Sequence, residues 1–295
     1  MKVRFAVGPH AGSLSPGDLV AFADAVEVQG FDGIWLSDLP ITPVLDPLLA
    51  LAMVAGRTER LRLGANVVPL GHSPFLLAKQ LAQLDQLASG RLLLSFVPGL
   101  GGSAEAEALG LAGITKNDAL EEALGLMRRW WAGDTVDYRS EQLVFSALPT
   151  AARPVQEPLE IWLGGRGPKA LERVGRIADG WLGAQLTPPE SATARDRIRA
   201  AATRAGREFD PEHFGMSIAY AHDALHPGLL TGMRGRRTDI DQLELVPVGA
   251  DGLRAFIAGY TEAGLSKFVV RPLEPVDSWA GEARWLSDAI LDLQT

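Results

Sequence analysis

The part of this sequence best suited to hold a ligand is a glycine cluster with one arginine, Gly164-Gly165-Arg166-Gly167-Pro168. It follows an apolar run, Leu159–Leu163, and opens a segment whose apolar positions Leu171, Val174 and Ala178 recur at helical spacing. Backbone N–H groups at a helix N-terminus, flanked by residues without side chains, let an anion approach closely. Arg166 adds a charge-assisted donor, and phosphate is the anion that this pattern fits. The alternative is a plain glycine turn.

Several other residues sit where an apolar run ends. Asp38 closes Gly33–Leu36 and could accept a hydrogen bond from a ring, move a proton, or simply cap its loop. Asn66, in Leu63-Gly64-Ala65-Asn66-Val67-Val68-Pro69, could reach a ligand or bond its own loop. His10, His72 and His222 each follow such a run, so any of them could serve as a general acid or be an ordinary loop histidine. Arg271 could face an anion or pair with a surface acid.

Other chemistries lack their residues. The sequence has no His-Glu-x-x-His, no Gly-x-Ser-x-Gly and no Walker lysine, and it contains no cysteine. Thiolate nucleophiles, disulfides and Cys-ligated metal centres are therefore excluded. Gly99-x-Gly101-x-x-Ala104 and Gly165-x-Gly167-x-x-Ala170 imitate a dinucleotide fingerprint. Neither sits at the first turn of the chain, and Asp179 precedes its strand instead of ending it.

The elements that must position these residues alternate. Strands are expected at Val3–Val7, Gly33–Leu36, Leu61–Ala65, Leu92–Val97, Leu159–Leu163, Gly180–Gly183, Phe214–Tyr220 and Lys267–Val270. Each is almost continuously apolar, as strands covered on both faces of a parallel sheet are. Helices are expected between them, opened by Ser15-Pro16, Asp46-Pro47, Ser73-Pro74, Gly167-Pro168 and Asp210-Pro211. Ser15 and Asp18 read as a capping box, with Gly30 as the stop.

Eight such units predict a single (β/α)8 barrel over residues 1–295, and a ligand site at the C-terminal ends of its strands. Three stretches exceed an ordinary loop: Pro98–Thr115, Gly133–Pro158 and His222–Val248. They place insertions after strands 4 and 7.

A formal net charge of −8 disfavours nucleic acid as a partner. The longest apolar stretch, Leu48–Ala55, is too short for a membrane span, and the N-terminus has no secretory h-region. A soluble cytoplasmic protein acting on a small molecule is expected.

Several segments together resemble the luciferase-like oxidoreductases. They are Gly30-Phe31-Asp32-Gly33-Ile34-Trp35-Leu36-Ser37-Asp38, Asp46–Ala52, Thr58–Gly64, Leu76–Ala82, Ser89–Leu92, Ile161–Gly165 and Ile177–Trp181. Order and spacing hold from the first strand to about Pro188, and more loosely to Arg271. The resemblance implies a (β/α)8 barrel, usually a homodimer, that uses FMN or the deazaflavin coenzyme F420. The F420-dependent branch is the more similar.

It implies further that Asp38 contacts the deazaflavin and that the Asn66–Val67 peptide is a non-prolyl cis bond backing the ring. Amides of Gly164, Gly165 and Arg166, with Gly167 completing the turn, would hold the phosphate, and Arg271 would meet the anionic tail. Two places depart from the family. Ser37-Asp38-Leu39 stands where Ser-Asp-His is usual, which leaves proton delivery to Asp38, His10, His72 or water. Ser95-Phe96-Val97-Pro98-Gly99 replaces a glycine-rich strand end and narrows the groove. The activity implied is hydride transfer between F420 and a small organic substrate. The alternatives are an FMN-dependent monooxygenase and a non-catalytic cofactor-binding barrel.

Overall fold

The computed structural model describes residues 1–10, 14–99, 101–111, 113–150, 152–225, 237 and 239–295. Strands β1 (Arg4–Val7), β2 (Gly33–Ser37), β3 (Arg62–Val67) and β4 (Leu92–Phe96) alternate with helices α1 (Pro16–Gln29), α2 (Pro47–Ala55) and α3 (Pro74–Leu87). Helices α4 (Ser103–Ala108) and α5 (Lys116–Ala132) and strands β5 (Val136–Arg139) and β6 (Val144–Leu148) come next. The second half is β7 (Trp162–Leu163), α6 (Pro168–Ile177), β8 (Gly180–Ala184), α7 (Pro188–Arg204), β9 (Phe214–Tyr220), α8 (Gly249–Glu262), β10 (Lys267–Pro272) and α9 (Trp279–Ile290).

Eight parallel strands close in the order β1-β10-β9-β8-β7-β4-β3-β2. Closure rules out the open, doubly wound sheet that a dinucleotide fingerprint requires. All eight expected strands belong to the barrel, although β7 pairs over only two residues. The helix starts follow local chemistry: Ser15 and Asp18 form the capping box, Asp46 caps α2 through the amides of Leu48 and Leu49, and Pro occupies the first helical turn in each.

Not foreseen is the antiparallel β5–β6 ribbon, which lies in the long stretch after β4. It is held by α5, where the Trp130 indole donates to the Leu148 carbonyl at 3.0 Å and Tyr138 donates to Glu122 at 2.9 Å. These partners lie well apart in sequence, so strand patterning alone does not reveal the ribbon.

Register and pleat separate two cores. Phe5, Val7, Ile34, Leu36, Leu63 and Ala65 face the helices and join the main cluster. The alternate residues face the barrel axis, where Trp35, Trp162, Leu182 and Val269 form a separate cluster with Ala6 and Leu93. Glycine makes room for the two indoles. A Cβ on Gly64 would stand 2.7 Å from Cδ2 and Cζ3 of Trp35, and one on Gly180 would stand 2.7 Å from Nε1 of Trp162.

This indole plug divides the barrel. A cavity of about 300 Å³ opens at the N-terminal end, with Trp35 and Trp162 in its lining and Arg4, Asp32, Glu160 and Lys267 among its charged residues. The ligand-type residues lie at the other end, where α-helices begin after the strands.

Candidate functional site

Asp38, Asn66, Gly164 and Arg271 all stand at the C-terminal end of a barrel strand, on one rim. The register puts Ser37, Asn66 and Ser95 on the inward face of neighbouring strands, and Ala219 beside Arg271. Inward side chains here are short. Ser37 and Ala184 face inward yet are exposed, so the mouth is open to solvent. The Cβ of Arg271 lies 3.5 Å from where a Cβ on Gly8 would stand, which places its stem against the first strand.

The Asp38 amide donates to the Asn66 carbonyl at 2.9 Å, and its carboxylate accepts from the Val68 amide at 3.0 Å. Asn66 in turn donates to Ser37 Oγ at 3.1 Å. These bonds tie the ends of β2 and β3 together. Burial pushes the Asp38 carboxyl above its ordinary range. The Val68 amide opposes that push, Asp46 and Glu105 add to it, and His72 draws it back down. The charges of Asp46, Glu105 and His72 thus all act on Asp38.

Glu105 was not singled out by the sequence. It is 2% exposed, accepts from the Gly101 amide at 2.7 Å and from Lys116 Nζ at 3.3 Å, and leaves no room for a side chain at Gly99. A glutamate in a six-residue helix rich in Ala and Glu carries no signal of such burial.

Two buried polar atoms at this end lack a protein partner among the described residues: Nδ1 of His10 and Oγ of Ser95. Buried polar groups are normally bonded, so an orphan at a mouth marks a place for a ligand or water. Val97 leans across the same end of β4, its Cγ1 3.5 Å from where a Cβ on Gly164 would stand. The narrowing expected at this strand end therefore lies between β4 and β7.

The peptide between Asn66 and Val67 is trans, contrary to the expectation; among the described residues the cis bond is Glu157–Pro158. Asn66 and Val67 pair regularly with Ser95 and Phe96, and a trans bond continues that ladder without the roughly 3–4 kcal/mol a non-prolyl cis bond costs. The Val67 side chain is buried toward the helices, so only its backbone can face the mouth.

The glycine turn runs from the end of β7 to α6. Gly165 has φ +110°, a left-handed conformation that favours glycine, and its carbonyl accepts from the Trp181 indole at 2.9 Å. Gly167 is the N-cap and has no side chain to satisfy the first amides of α6. Arg166 and Lys169, on either side of that N-terminus in the chain, are both exposed.

His10 and His72 lie on the rim, as does His222, but His222 turns toward α9. It lies 2.9 Å from Glu282, which is 7% exposed and also accepts a hydrogen bond from Tyr220. Trp285 packs on both rings, 4.2 Å from His222 and 5.4 Å from Tyr220. Burial first, and Glu282 with it, raises the Tyr220 hydroxyl well above its ordinary range. Glu282 stands in the first turn of α9, where an acid is common, so its local pattern gives no sign of this role. Among the described residues no group of acids and histidines could hold a metal, and no helix is long and apolar enough to cross a membrane.

Comparison with known proteins agrees with this architecture. The profile of the luciferase-like monooxygenases matches residues 1–224. An F420-dependent glucose-6-phosphate dehydrogenase from Nakamurella multipartita is 29% identical over 226 residues, covering 70% of this chain and 64% of that protein. A 5,10-methylenetetrahydromethanopterin reductase from Methanolobus tindarius is 30% identical over 202 residues, covering 68% and 59%.

The match thus spans about six tenths of each relative's length. Among solved structures, the coenzyme F420-dependent tetrahydromethanopterin reductase of Methanopyrus kandleri superposes with a TM-score of 0.80 at 17% identity. That superposition covers 100% of this chain and 99% of the other, a likeness of fold. With the profile matched across most of its length, the chain belongs to the luciferase-like monooxygenase family.

Proposed function

We propose that this protein is an oxidoreductase that transfers a hydride between coenzyme F420 and a small organic substrate at the C-terminal mouth of the barrel. The observation that carries the reading is the pair of buried, unpartnered polar atoms, His10 Nδ1 and Ser95 Oγ, at the end of the barrel that also bears the glycine turn. Of the two relatives described above, the first is named as an F420-dependent glucose-6-phosphate dehydrogenase and the second as a 5,10-methylenetetrahydromethanopterin reductase, and we extend the first name's cofactor to this chain.

The residues present suit such a group. The inward face above the indole plug carries Gly8, Ser37, Asn66, Ser95 and Gly164, short or polar residues that put amide and hydroxyl groups toward the mouth, with Val97 closing in between β4 and β7. Gly164, Gly165, Arg166 and Gly167 would hold the phosphate through amides and one guanidinium. Arg271 would meet the anionic tail. Asn66 and the backbone of Val67 would back the ring. When bound, the deazaflavin supplies a ring carbon able to give or take a hydride.

The chain's own part is to bind, orient and handle a proton. Asp38, with its carboxyl raised by burial, holds a proton more readily than an exposed aspartate does, and the exposed His72 stands on the same rim. His10 offers an unpartnered ring nitrogen at the mouth. These three are the proposed catalytic residues. Leu39 leaves the usual histidine position without a donor.

The functional unit is proposed to be a homodimer, working in the cytoplasm as one 1–295 domain. Leu45, Leu49 and Met53 recur at i, i+4 spacing and are 36%, 75% and 41% exposed, with Leu76 of the neighbouring α3 at 56%. Light scattering of the purified protein tests the pairing. Titration with F420 and with FMN, read by absorbance and fluorescence, tests the cofactor. Tighter F420 binding supports the reading, equal or tighter FMN binding overturns the cofactor assignment, and binding of neither overturns the enzyme.

A further inference from the structure

The glycine turn after β7 has a charged neighbour. Strand β8 pairs with β7, so the turn that follows β8 runs beside it, and the Trp181 indole of β8 is bonded to Gly165. Arg237 is laid into that neighbouring turn with 3% of its surface exposed. Its guanidinium donates to the Gln185 carbonyl at 2.7 Å, to Glu190 at 2.8 and 3.2 Å, and to Asp239 at 2.8 and 3.1 Å. Glu190 is itself fixed by the capping box it forms with Thr187 at the start of α7. The result is a clasp with two carboxylates on one guanidinium, net negative, next to the anion-binding turn.

Asp239 is the outer member of the clasp, with its side chain 68% exposed. Hydrogen bonds from Arg237, chiefly, and the positive charge of Arg166 hold its carboxyl below the ordinary range, so it is ionised at neutral pH within electrostatic reach of Arg166.

A phosphodiester carries a single negative charge. A phosphomonoester approaches two at neutral pH, because its second ionisation falls near about 6. The amides of the turn attract either anion, while the Asp239 carboxylate repels a dianion more strongly than a monoanion. We propose that Asp239, held in place by Arg237, tunes the Gly164–Gly167 turn for the singly charged phosphodiester of F420 and against the doubly charged phosphomonoester of FMN. The proposal rests on the cofactor reading given above and adds to it a residue that sets selectivity.

The test is the ratio of FMN to F420 dissociation constants, measured at neutral pH and low salt for the wild type, Asp239→Asn and Asp239→Glu. Asp239→Asn should bring the ratio down about two- to five-fold, the range of an exposed charge interaction, mainly through tighter FMN binding. Asp239→Glu keeps the charge and should leave the ratio near the wild-type value, which also controls for any loosening of the segment. A ratio unchanged in Asp239→Asn, or lowered equally by Asp239→Glu, overturns the proposal and leaves the cofactor reading standing. A wild type that binds neither cofactor overturns both.

Discussion

Replacing Gly64 by Ala should be costly out of proportion to the single methyl added. A Cβ there would stand 2.7 Å from two ring carbons of Trp35 and closer still to Cε3. Apolar carbons prefer separations of about 3.5–4.0 Å, so the indole must shift by roughly an ångström or more. It has little room to do so: Trp35 is 7% exposed and packs with Trp162, Leu182 and Val269 inside a closed ring of strands. Overpacking in such a place costs about 1–3 kcal/mol, and the depth of this overlap argues for ~2–3 kcal/mol. At roughly 2.1 cal/mol/K per residue the corresponding fall in melting temperature is about 3–5 °C for a chain of 295 residues. The assay is denaturant unfolding followed by tryptophan fluorescence, run as a double-mutant cycle with Trp35→Leu, which empties the contested space. The two substitutions should be coupled by at least about 1 kcal/mol. A Gly64→Ala protein within about 0.5 kcal/mol of wild type, or strictly additive substitutions, would refute the picture of glycine yielding to an indole plug.

Four further outcomes follow from the rim. Asp38→Asn should cut turnover at least about ten-fold in a hydride-transfer assay while keeping the bond from the Val68 amide. Because burial raises the folded-state pKa of Asp38, the native protein holds this proton more tightly than the unfolded chain does. Wild type should therefore lose stability relative to Asp38→Asn as pH rises from about 3.8 through the raised value, so the melting temperature of Asp38→Asn minus that of wild type should be larger at pH 7 than at pH 4; a constant difference would contradict this. Arg166→Ala should weaken F420 binding by about 1.5 kcal/mol at low salt and by less at high salt, read by fluorescence titration. Glu282→Ala leaves the buried Tyr220 hydroxyl without its acceptor and should cost about 1–3 kcal/mol in unfolding free energy, whereas Glu282→Gln, which can still accept, should recover part of it.

What the sequence determined by itself is what short-range patterns encode. Apolar runs such as Phe214–Tyr220 and Lys267–Val270 are strands because both their faces are covered, and Ser15-Pro16-Gly17-Asp18 starts a helix because its own side chains satisfy the first amides. Alternating units then made a closed barrel the economical arrangement, and closure alone put Asp38, Asn66, Gly164 and Arg271 on one rim. Other features depend on groups that meet only after closure. The Asn66–Val67 bond is trans because β4 extends the ladder past Asn66, and the β5–β6 ribbon exists because α5 lies beneath it. Glu105 under Gly99 and Gly101, Glu282 between Tyr220 and His222, and Arg237 between Glu190 and Asp239 are each ordinary surface-type residues by local pattern. Glu282 meets partners 62 and 60 positions away and Arg237 meets Glu190 47 positions away, and no local periodicity records such a partner. The indole plug is the same lesson in packing: Trp35 and Gly64 are unremarkable alone, and only the register of β2 against β3 sets one over the other.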